Sequence, residues 1–290
     1  EDLIMYSKGY RLIRDRNQPG MPRQYSIVGK TGETITSLSG TADIVKYDFG
    51  YEIDPVWEAG NKNIPGIYIE FKEPWLNPKG FEQIVYDVLA NTQDMNIIEK
   101  PEPEDTPFYI NNGTINVGNT NGKVILQTFS LESLVRVAEV FQGKVPMCFL
   151  LWKGTGATDL TYDDPLGYAS FINLGVKYKA HFIGPCIAGA PNDYPELDQP
   201  WQDYLIHRAK MKNHPYTFDT YDQMAKYFGQ YNFGVADGMF NPPYLDALFT
   251  NHSDMSINYM ITHGWRKSPA SQTLVDAREV LRKLGYLDNN

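Results

Sequence analysis

Cysteines, basic residues and long apolar runs are all scarce in this sequence. The two cysteines, Cys148 and Cys186, lie in apolar strand-like runs, so we expect buried thiols rather than one disulfide, and neither identifies the compartment. The 35 acidic residues outnumber the 26 lysines and arginines, and the formal net charge of −9 argues against a nucleic-acid groove. No run approaches about 18 apolar residues, so we expect no transmembrane segment.

Several motifs that would identify a function directly are also missing. The sequence has no glycine-rich phosphate loop, no paired Cys/His zinc spacing and no G-x-S-x-G turn. Residues 1–60 contain no histidine. The start, EDLIMYSKGY, lacks a basic region followed by an apolar segment, so we expect no signal peptide in the chain as given.

From residue 64 onward, short apolar runs alternate with stretches of helical spacing. The helical stretches include 81–92, 130–141 and 220–228, where Ser130 and Thr220 suit the N-cap position. Strands that alternate with helices in this way form parallel sheets covered by helices. Six apolar runs predict the strands: 66–71, 123–129, 145–152, 179–185, 214–218 and 235–240.

The amino-terminal region is harder to assign. A closed eight-stranded barrel needs two further strands from residues 1–60, and the candidates there are 10–14, 24–28 and 41–49. We predict a single domain over residues 1–250, with 1–60 poorly matched. Residues 251–290 would form a carboxyl-terminal extension that ends in an amphipathic helix over 271–285.

The segment GIYIEFKEPW, residues 66–75, places two charges inside an apolar run. Alternate side chains of a strand face opposite sides, so Ile69 and Phe71 face the helices while Glu70 and Lys72 face the other side. In a parallel barrel that second side is the interior, and its carboxyl end holds the active site. A buried, unpaired carboxylate costs several kcal/mol, roughly, so Glu70 needs a metal ion, a lysine or water. A Glu70–Lys72 pair that serves only solubility is the alternative.

At these residues the sequence resembles the glycerophosphodiester phosphodiesterases. NKNIPGIYIEFKEPW (61–75) is similar to the third strand of that family, which ends in an Ile-Glu-Ile-Lys pattern. Four later segments resemble the family in the same order, and together the matches cover about residues 56–250. They are VILQTFSLESLVRV (124–137), AHFIGP (180–185), HPYTFDTYDQMAKY (214–227) and GVADGMFNPPYLDALF (234–249).

The resemblance implies a (β/α)8 TIM-like barrel, irregular or incomplete at its first strands. It implies hydrolysis of glycerophosphodiesters to glycerol phosphate and an alcohol with bound Ca²⁺ or Mg²⁺, in the periplasm or outside the cell. By position Glu70 would be a metal ligand and Lys72 would contact the small-molecule substrate. We expect Gln127, His181 and Tyr216 to line the substrate pocket. Core packing is the alternative for His181 and Tyr216.

The sequence departs from the family at its beginning. The family's first strands carry His-Arg-Gly, Glu-x-Asp and His-Asp, and residues 1–60 have no such histidines. The segment YEID (51–54) could supply the Glu-x-Asp pair as Glu52 and Asp54. Its distance from the first matched strand, however, places it in the helix before that strand. Residues 257–274 resemble the family's opening strand, which makes His263 a candidate catalytic residue. In the closing motif, Asn241-Pro242 replaces Thr-Asp.

Two other functions remain open at this point. A catalytically degenerate barrel would bind phosphodiesters or sugar-like ligands without hydrolysing them. A glycoside hydrolase-like barrel would need a second carboxylate about 5 to 9.5 Å from Glu70, for which Asp237 is the candidate. The segment TDLTYDDP (158–165) clusters three aspartates and could form a second cation site. We expect a solvated loop instead, because known Ca²⁺-binding loops show a tighter alternation of ligands.

Overall fold

The structure is a computed structural model that describes thirteen parts of the chain: 2–13, 27–28, 34–35, 50–54, 66–72, 75–91, 97–98, 110–111, 114–115, 124–153, 161–230, 245–264 and 266. The chain divides into two compact units, Tyr68–Ser268 and a smaller one that joins Glu1–Ile67 to Pro269–Asn290. The domain boundary expected at residue 250 falls inside the larger unit. The amphipathic helix expected over 271–285 lies outside the described residues.

The described residues of the smaller unit form a helix and two antiparallel strand pairs. These elements are α1 (Asp2–Ser7), β1 (Tyr10–Ile13), β2 (Ile27–Val28), β3 (Thr34–Ile35) and β4 (Gly50–Ile53). Strand β1 pairs with β4, and β2 pairs with β3. The expectation of a helix at YEID is wrong, because Arg11 lies opposite Glu52 across the β1–β4 ladder and forms an ion pair with it.

Five of the remaining described strands form a parallel sheet, and two more form a separate pair. They are β5 (Ile67–Glu70), β6 (Ile110–Asn111), β7 (Thr114–Ile115), β8 (Val124–Thr128), β9 (Met147–Leu151), β10 (Phe182–Pro185) and β11 (Lys212–Asn213). The order in the sheet is β11-β10-β9-β8-β5, while β6 and β7 form a separate antiparallel pair.

The remaining helices alternate with the strands of that sheet. They are α2 (Phe81–Asn91), α3 (Leu131–Phe141), α4 (Pro165–Lys177), α5 (Pro200–Arg208), α6 (Tyr221–Ala225) and α7 (Ser253–Thr262). A π-helical turn, Lys226–Gln230, continues α6. The predicted α/β alternation around a parallel sheet is confirmed. A complete eight-stranded barrel is not shown, and the expected strand at 235–240 lies outside the described residues. No helix in the described ranges has the length and apolar character needed to cross a bilayer.

Helix α3 shows how the local sequence sets one of these elements. The Ser130 hydroxyl accepts a hydrogen bond from the Ser133 amide at 3.3 Å, which caps the helix at the predicted residue. Its apolar side, including Leu134 and Phe141, is buried. The N-cap and the apolar spacing together explain why the helix begins here.

Helix α4 explains the aspartate-rich segment before it. The Asp164 carboxylate accepts hydrogen bonds from the Leu166 and Gly167 amides, both at 2.9 Å. Hydrogen bonds from the Thr161 hydroxyl and then from these amides lower the pKa of Asp164. Asp164 is therefore the N-cap of α4, which accounts for an acidic residue at this point without a second cation.

A buried polar cluster joins α5 to β11. The side-chain amide of Asn213 donates to Asp198 at 2.8 Å and to Asp203 at 2.9 Å, and all three side chains are buried. Burial raises the pKa of both carboxyls, and the charge of Asp203 raises that of Asp198 further. Burial alone would lower the pKa of His207, but Asp203 and Asp246 raise it to about 10.

Replacing Asp198 by Asn should reduce the pH dependence of stability. Folding raises the pKa of the Asp198 carboxyl. The stability that Asp198 contributes is therefore fully present below the pKa of about 4 that this carboxyl has in the unfolded chain, and it is lost as the pH rises through the pKa in the folded protein. The slope is at most about 1.4 kcal/mol per pH unit for one proton. Urea unfolding from about pH 4 to about pH 8 should show a smaller decline in Asp198→Asn than in the wild type. The exposed control Asp193→Asn should match the wild type, and an unchanged slope in Asp198→Asn would contradict the account.

Candidate functional site

The carboxyl ends of β5, β8 and β9 open into a cleft of about 950 Å³. Glu70 is the last residue of β5, Gln127 lies near the end of β8, and Trp152 directly follows β9. The structure brings four of the predicted site residues to this cleft: Glu70, Lys72, Gln127 and Tyr216. They come from distant parts of the sequence, so the parallel sheet is what assembles them.

Backbone and hydroxyl hydrogen bonds set the floor of the cleft. The Phe71 amide donates to the Gln127 carbonyl at 2.8 Å, which joins the end of β5 to β8. The Thr128 hydroxyl donates to the Phe71 carbonyl at 3.0 Å and accepts from the Ser130 amide at 3.1 Å. Thr128 is fully buried, so it ties both strand ends to the start of α3. Glu70 and Gln127 are thereby held at neighbouring strand ends.

Two side-chain oxygens at these strand ends have no donor. Glu70 Oε1 and Gln127 Oε1 are both buried and accept no hydrogen bond from the described residues. A buried acceptor without a partner costs about 1–3 kcal/mol, and more if it is charged. Such groups persist where a ligand supplies the missing contact.

Oxygen atoms of this kind suit a hard divalent cation such as Ca²⁺ or Mg²⁺. Glu70 would supply a charged ligand and Gln127 a neutral one. The described residues contain no group of three or more His, Cys, Asp or Glu side chains arranged to hold a metal ion. A cation at Glu70 would therefore take its other ligands from water, from substrate oxygens or from outside the described ranges.

Two lysines line the cleft together with two glutamates, Glu70 and Glu132. Lys72 and Lys153 both line it and are exposed. Lys72 forms no ion pair with Glu70, so the alternative of a Glu70–Lys72 pair that serves only solubility is not what the structure contains. Among the described residues no acid pairs with the Lys72 ammonium group, so an anionic ligand in the cleft could contact it.

One wall of the cleft is a continuous series of aromatic rings. The ring centroids of Trp152 and Tyr194 are 6.4 Å apart, those of Tyr194 and Tyr216 are 5.9 Å apart, and those of Tyr216 and Phe129 are 5.7 Å apart. The Tyr216 hydroxyl donates to the Leu151 carbonyl at 3.0 Å, which fixes its ring. Burial raises the pKa of Tyr216, so this phenol stays neutral at ordinary pH. The wall offers ring faces to an apolar, flat or cationic part of a ligand.

His181 lies away from the cleft. It precedes β10 rather than ending a strand, and its Nδ1 accepts a hydrogen bond from the amide of Met147, the first residue of β9, at 3.0 Å. The expectation that His181 faces the mouth is therefore wrong, because the side chain is at the amino ends of the strands. It is fully buried, as the alternative of a hydrogen-bonded core histidine predicts.

His263 is also separate from the cleft-lining residues. It follows helix α7, its Nδ1 is 2.9 Å from the Tyr259 carbonyl, and its ring stacks on that of Tyr259 with centroids 4.0 Å apart. The resemblance of residues 257–274 to an opening strand is wrong over 257–262, because those residues are helical. Asp237 and Asn241-Pro242 lie outside the described residues.

Sequence reasoning missed most of the aromatic wall. Trp152 closes the apolar run 145–152, so the rule that strand ends face the mouth identifies it as a candidate. Tyr194 and Phe249, which also lines the cleft, lie in irregular segments, where no periodic pattern shows which way a side chain points.

No protein-family model matches this sequence, and a search of curated proteins finds no matching relative. The likeness to the glycerophosphodiester phosphodiesterases therefore stays a resemblance of five ordered segments. The cleft and those five segments are the features that bear on function.

Replacing Glu70 by Gln should leave the fold intact and raise its stability. In buffer without divalent cations, we expect the free energy of unfolding to rise by about 1 kcal/mol, because a half-buried carboxylate with one unpartnered oxygen loses its charge. Urea denaturation followed by circular dichroism measures this change. The exposed control Glu139→Gln should change stability by less than about 0.5 kcal/mol. A loss of stability in Glu70→Gln would show that the carboxylate has a structural partner.

Proposed function

We propose that this protein is a divalent-metal-dependent phosphodiesterase that hydrolyses glycerophosphodiesters to glycerol phosphate and an alcohol. The observation that carries the proposal is the buried, unpartnered Glu70 oxygen at a strand end, in an open cleft that Lys72 also lines. The ordered resemblance of five segments to the glycerophosphodiester phosphodiesterases supports the same reaction. That the sheet closes into a (β/α)8 barrel is part of the same proposal.

Different cleft residues would bind the cation, the phosphate group and the alcohol part of the substrate. Glu70 and Gln127 would hold the cation through their unpartnered oxygens. When bound, a divalent cation polarises the phosphoryl group and lowers the pKa of a coordinated water. Lys72 would contact the phosphate oxygens and stabilise the negative charge that grows on them during water attack. Tyr216 and its aromatic neighbours would pack against the alcohol part of the substrate.

A binding protein for phosphodiester or sugar-like ligands is the second candidate. It is favoured by a specific observation: no histidine of the described residues lines the cleft, and proton transfer to a leaving alkoxide commonly uses one. Such a protein would hold the same ligand with the same Glu70 and Lys72 but release it unchanged.

Turnover of glycerophosphocholine, followed as glycerol phosphate release, tests the proposal. We expect a saturable rate that a chelator abolishes and that Ca²⁺ or Mg²⁺ restores. Glu70→Gln should lower kcat about 100-fold or more, because the cation is lost. Lys72→Met should lower kcat/KM about tenfold or more through the lost phosphate contact.

Matched controls and a binding measurement separate the two candidates. Glu139→Gln and Lys144→Met remove the same charges at exposed positions outside the cleft lining and should leave the rate unchanged. A rate that resists chelation, or full activity in Glu70→Gln, contradicts the metal-dependent reaction. Calorimetric binding of glycerophosphocholine that Glu70→Gln abolishes, without turnover in the wild type, identifies the binding protein.

A further inference from the structure

The described lining of the cleft carries as many positive as negative formal charges. Lys72 and Lys153 contribute the positive charges, and Glu70 and Glu132 contribute the negative ones. Attraction between net charges therefore does not choose among cationic, anionic and neutral alcohol parts of a ligand. The choice falls to hydrogen bonds and to apolar contacts with the lining.

Three side chains of the lining offer hydrogen bonds of different kinds. The hydroxyl of Tyr194 and the ammonium group of Lys153 have no hydrogen bond or ion pair with another described residue. Glu132 Oε1 accepts a hydrogen bond from Arg136, which also donates to Glu82, and 72% of the Glu132 side chain is exposed. The lysine can only donate, the carboxylate can only accept, and the phenol can do both.

These polar groups are distributed along the aromatic wall of the cleft. Lys153 directly follows Trp152, the ring at one end of the wall. Glu132 comes shortly after Phe129, the ring at the other end, and Tyr194 lies between the two ends. Trp152 is 48% exposed and Tyr194 is 37% exposed, so both rings are open to a ligand. A ligand that covers the wall therefore meets donors and acceptors at its edges.

The tilt between neighbouring rings of the wall favours a puckered ligand over a planar one. The interplanar angles are 70° for Trp152 and Tyr194, 63° for Tyr194 and Tyr216, and 87° for Tyr216 and Phe129. A planar ligand can be sandwiched only between nearly parallel faces, which these angles do not provide. A puckered carbon ring presents C–H groups to tilted faces and carries its hydroxyl groups at its edge.

We propose that the alcohol part of the substrate is a polyhydroxylated ring, a hexose or an inositol, which packs on Trp152 and Tyr194 and hydrogen-bonds to Glu132 and Lys153. A hydroxyl group both donates and accepts, so one ring satisfies the lysine, the carboxylate and the phenol together. The trimethylammonium group of choline forms no such hydrogen bond, and the ammonium group of ethanolamine only donates. This assignment rests on the proposed phosphodiesterase function, since it names the alcohol that hydrolysis releases.

Hydrolysis of such a substrate gives two defined products. The oxygen of a water molecule bonds to phosphorus, the bond from phosphorus to the bridging oxygen of the hexose or inositol breaks, and a proton from the water goes to that oxygen. The products are glycerol phosphate and the free hexose or inositol. The cleft volume of about 950 Å³ lies near the upper end for ligand pockets, so the ring has room beside the phosphate.

Rates with four glycerophosphodiesters test the assignment. Glycerophosphoinositol and the glucose ester of glycerol phosphate carry the ring, whereas glycerophosphocholine and glycerophosphoethanolamine do not. We expect kcat/KM to be about tenfold higher or more for the two ring substrates. Trp152→Ala removes a ring contact and Tyr194→Phe removes a hydrogen bond. Each should lower the ratio of kcat/KM for a ring substrate to kcat/KM for glycerophosphoethanolamine about fivefold or more.

Tyr221→Phe is the matched control, because Tyr221 is 51% exposed and does not line the cleft. Its ratio of rates should equal that of the wild type. A preference for one ring substrate over the other supports the assignment and identifies the ring. Equal kcat/KM for all four substrates, or a preference for glycerophosphocholine, overturns the assignment. An equal loss on all four substrates in both Trp152→Ala and Tyr194→Phe also overturns it.

Calorimetric binding of the same four compounds separates failure of this assignment from failure of hydrolysis. If the protein hydrolyses none of them, tighter binding of the two ring compounds that Trp152→Ala and Tyr194→Phe weaken still supports the ring. Equal dissociation constants for the four compounds, or no binding of any of them, overturn it.

Discussion

An acidic side chain whose buried oxygen lacks a hydrogen-bond donor is the constraint on which this account depends. Glu70 Oε1 and Gln127 Oε1 both have this property, and the hydrogen bond from the Phe71 amide to the Gln127 carbonyl holds their strand ends together. Removing such groups from water is unfavourable unless something else compensates them. Because Glu70 faces an open cleft, a cation or a ligand donor can reach it.

The other buried acids of the protein show what a structural carboxylate looks like here. Asp198 and Asp203 each accept a hydrogen bond from Asn213, and burial raises the pKa of both. Asp198 also has an unpartnered oxygen, but burial favours its protonated form, and Asp203 Oδ2 lies 3.2 Å from His207 Nδ1. Glu70 instead stands beside exposed lysines and aromatic rings. Asp198 and Asp203 therefore hold structural elements together, whereas Glu70 is placed to face a ligand.

The sequence predicts the regular parts of this arrangement better than the irregular ones. Apolar periodicity locates β5, β8 and β9 within about two residues, and the alternation of side chains directs Glu70 to the cleft. The expectation for His181 fails because this residue directly precedes β10, at the amino end of the strand, whereas the cleft lies at the carboxyl ends of β5, β8 and β9. Tyr194 and Phe249 depend on loop conformations that tertiary packing decides. The strand at Gly50–Ile53 depends on pairing with a distant segment, which local spacing does not reveal.

The most direct test of a cation at Glu70 is a crystal structure from Mn²⁺-soaked crystals, with anomalous scattering data. Manganese binds oxygen ligands much as Ca²⁺ and Mg²⁺ do. The account predicts an anomalous peak about 2.2 Å from Glu70 Oε1, with Gln127 Oε1 or water among the other ligands, and no such peak in Glu70→Gln. A peak at Asp198 and Asp203 alone, or a donor from the protein bonded to Glu70 Oε1 and no metal in the cleft, would contradict it.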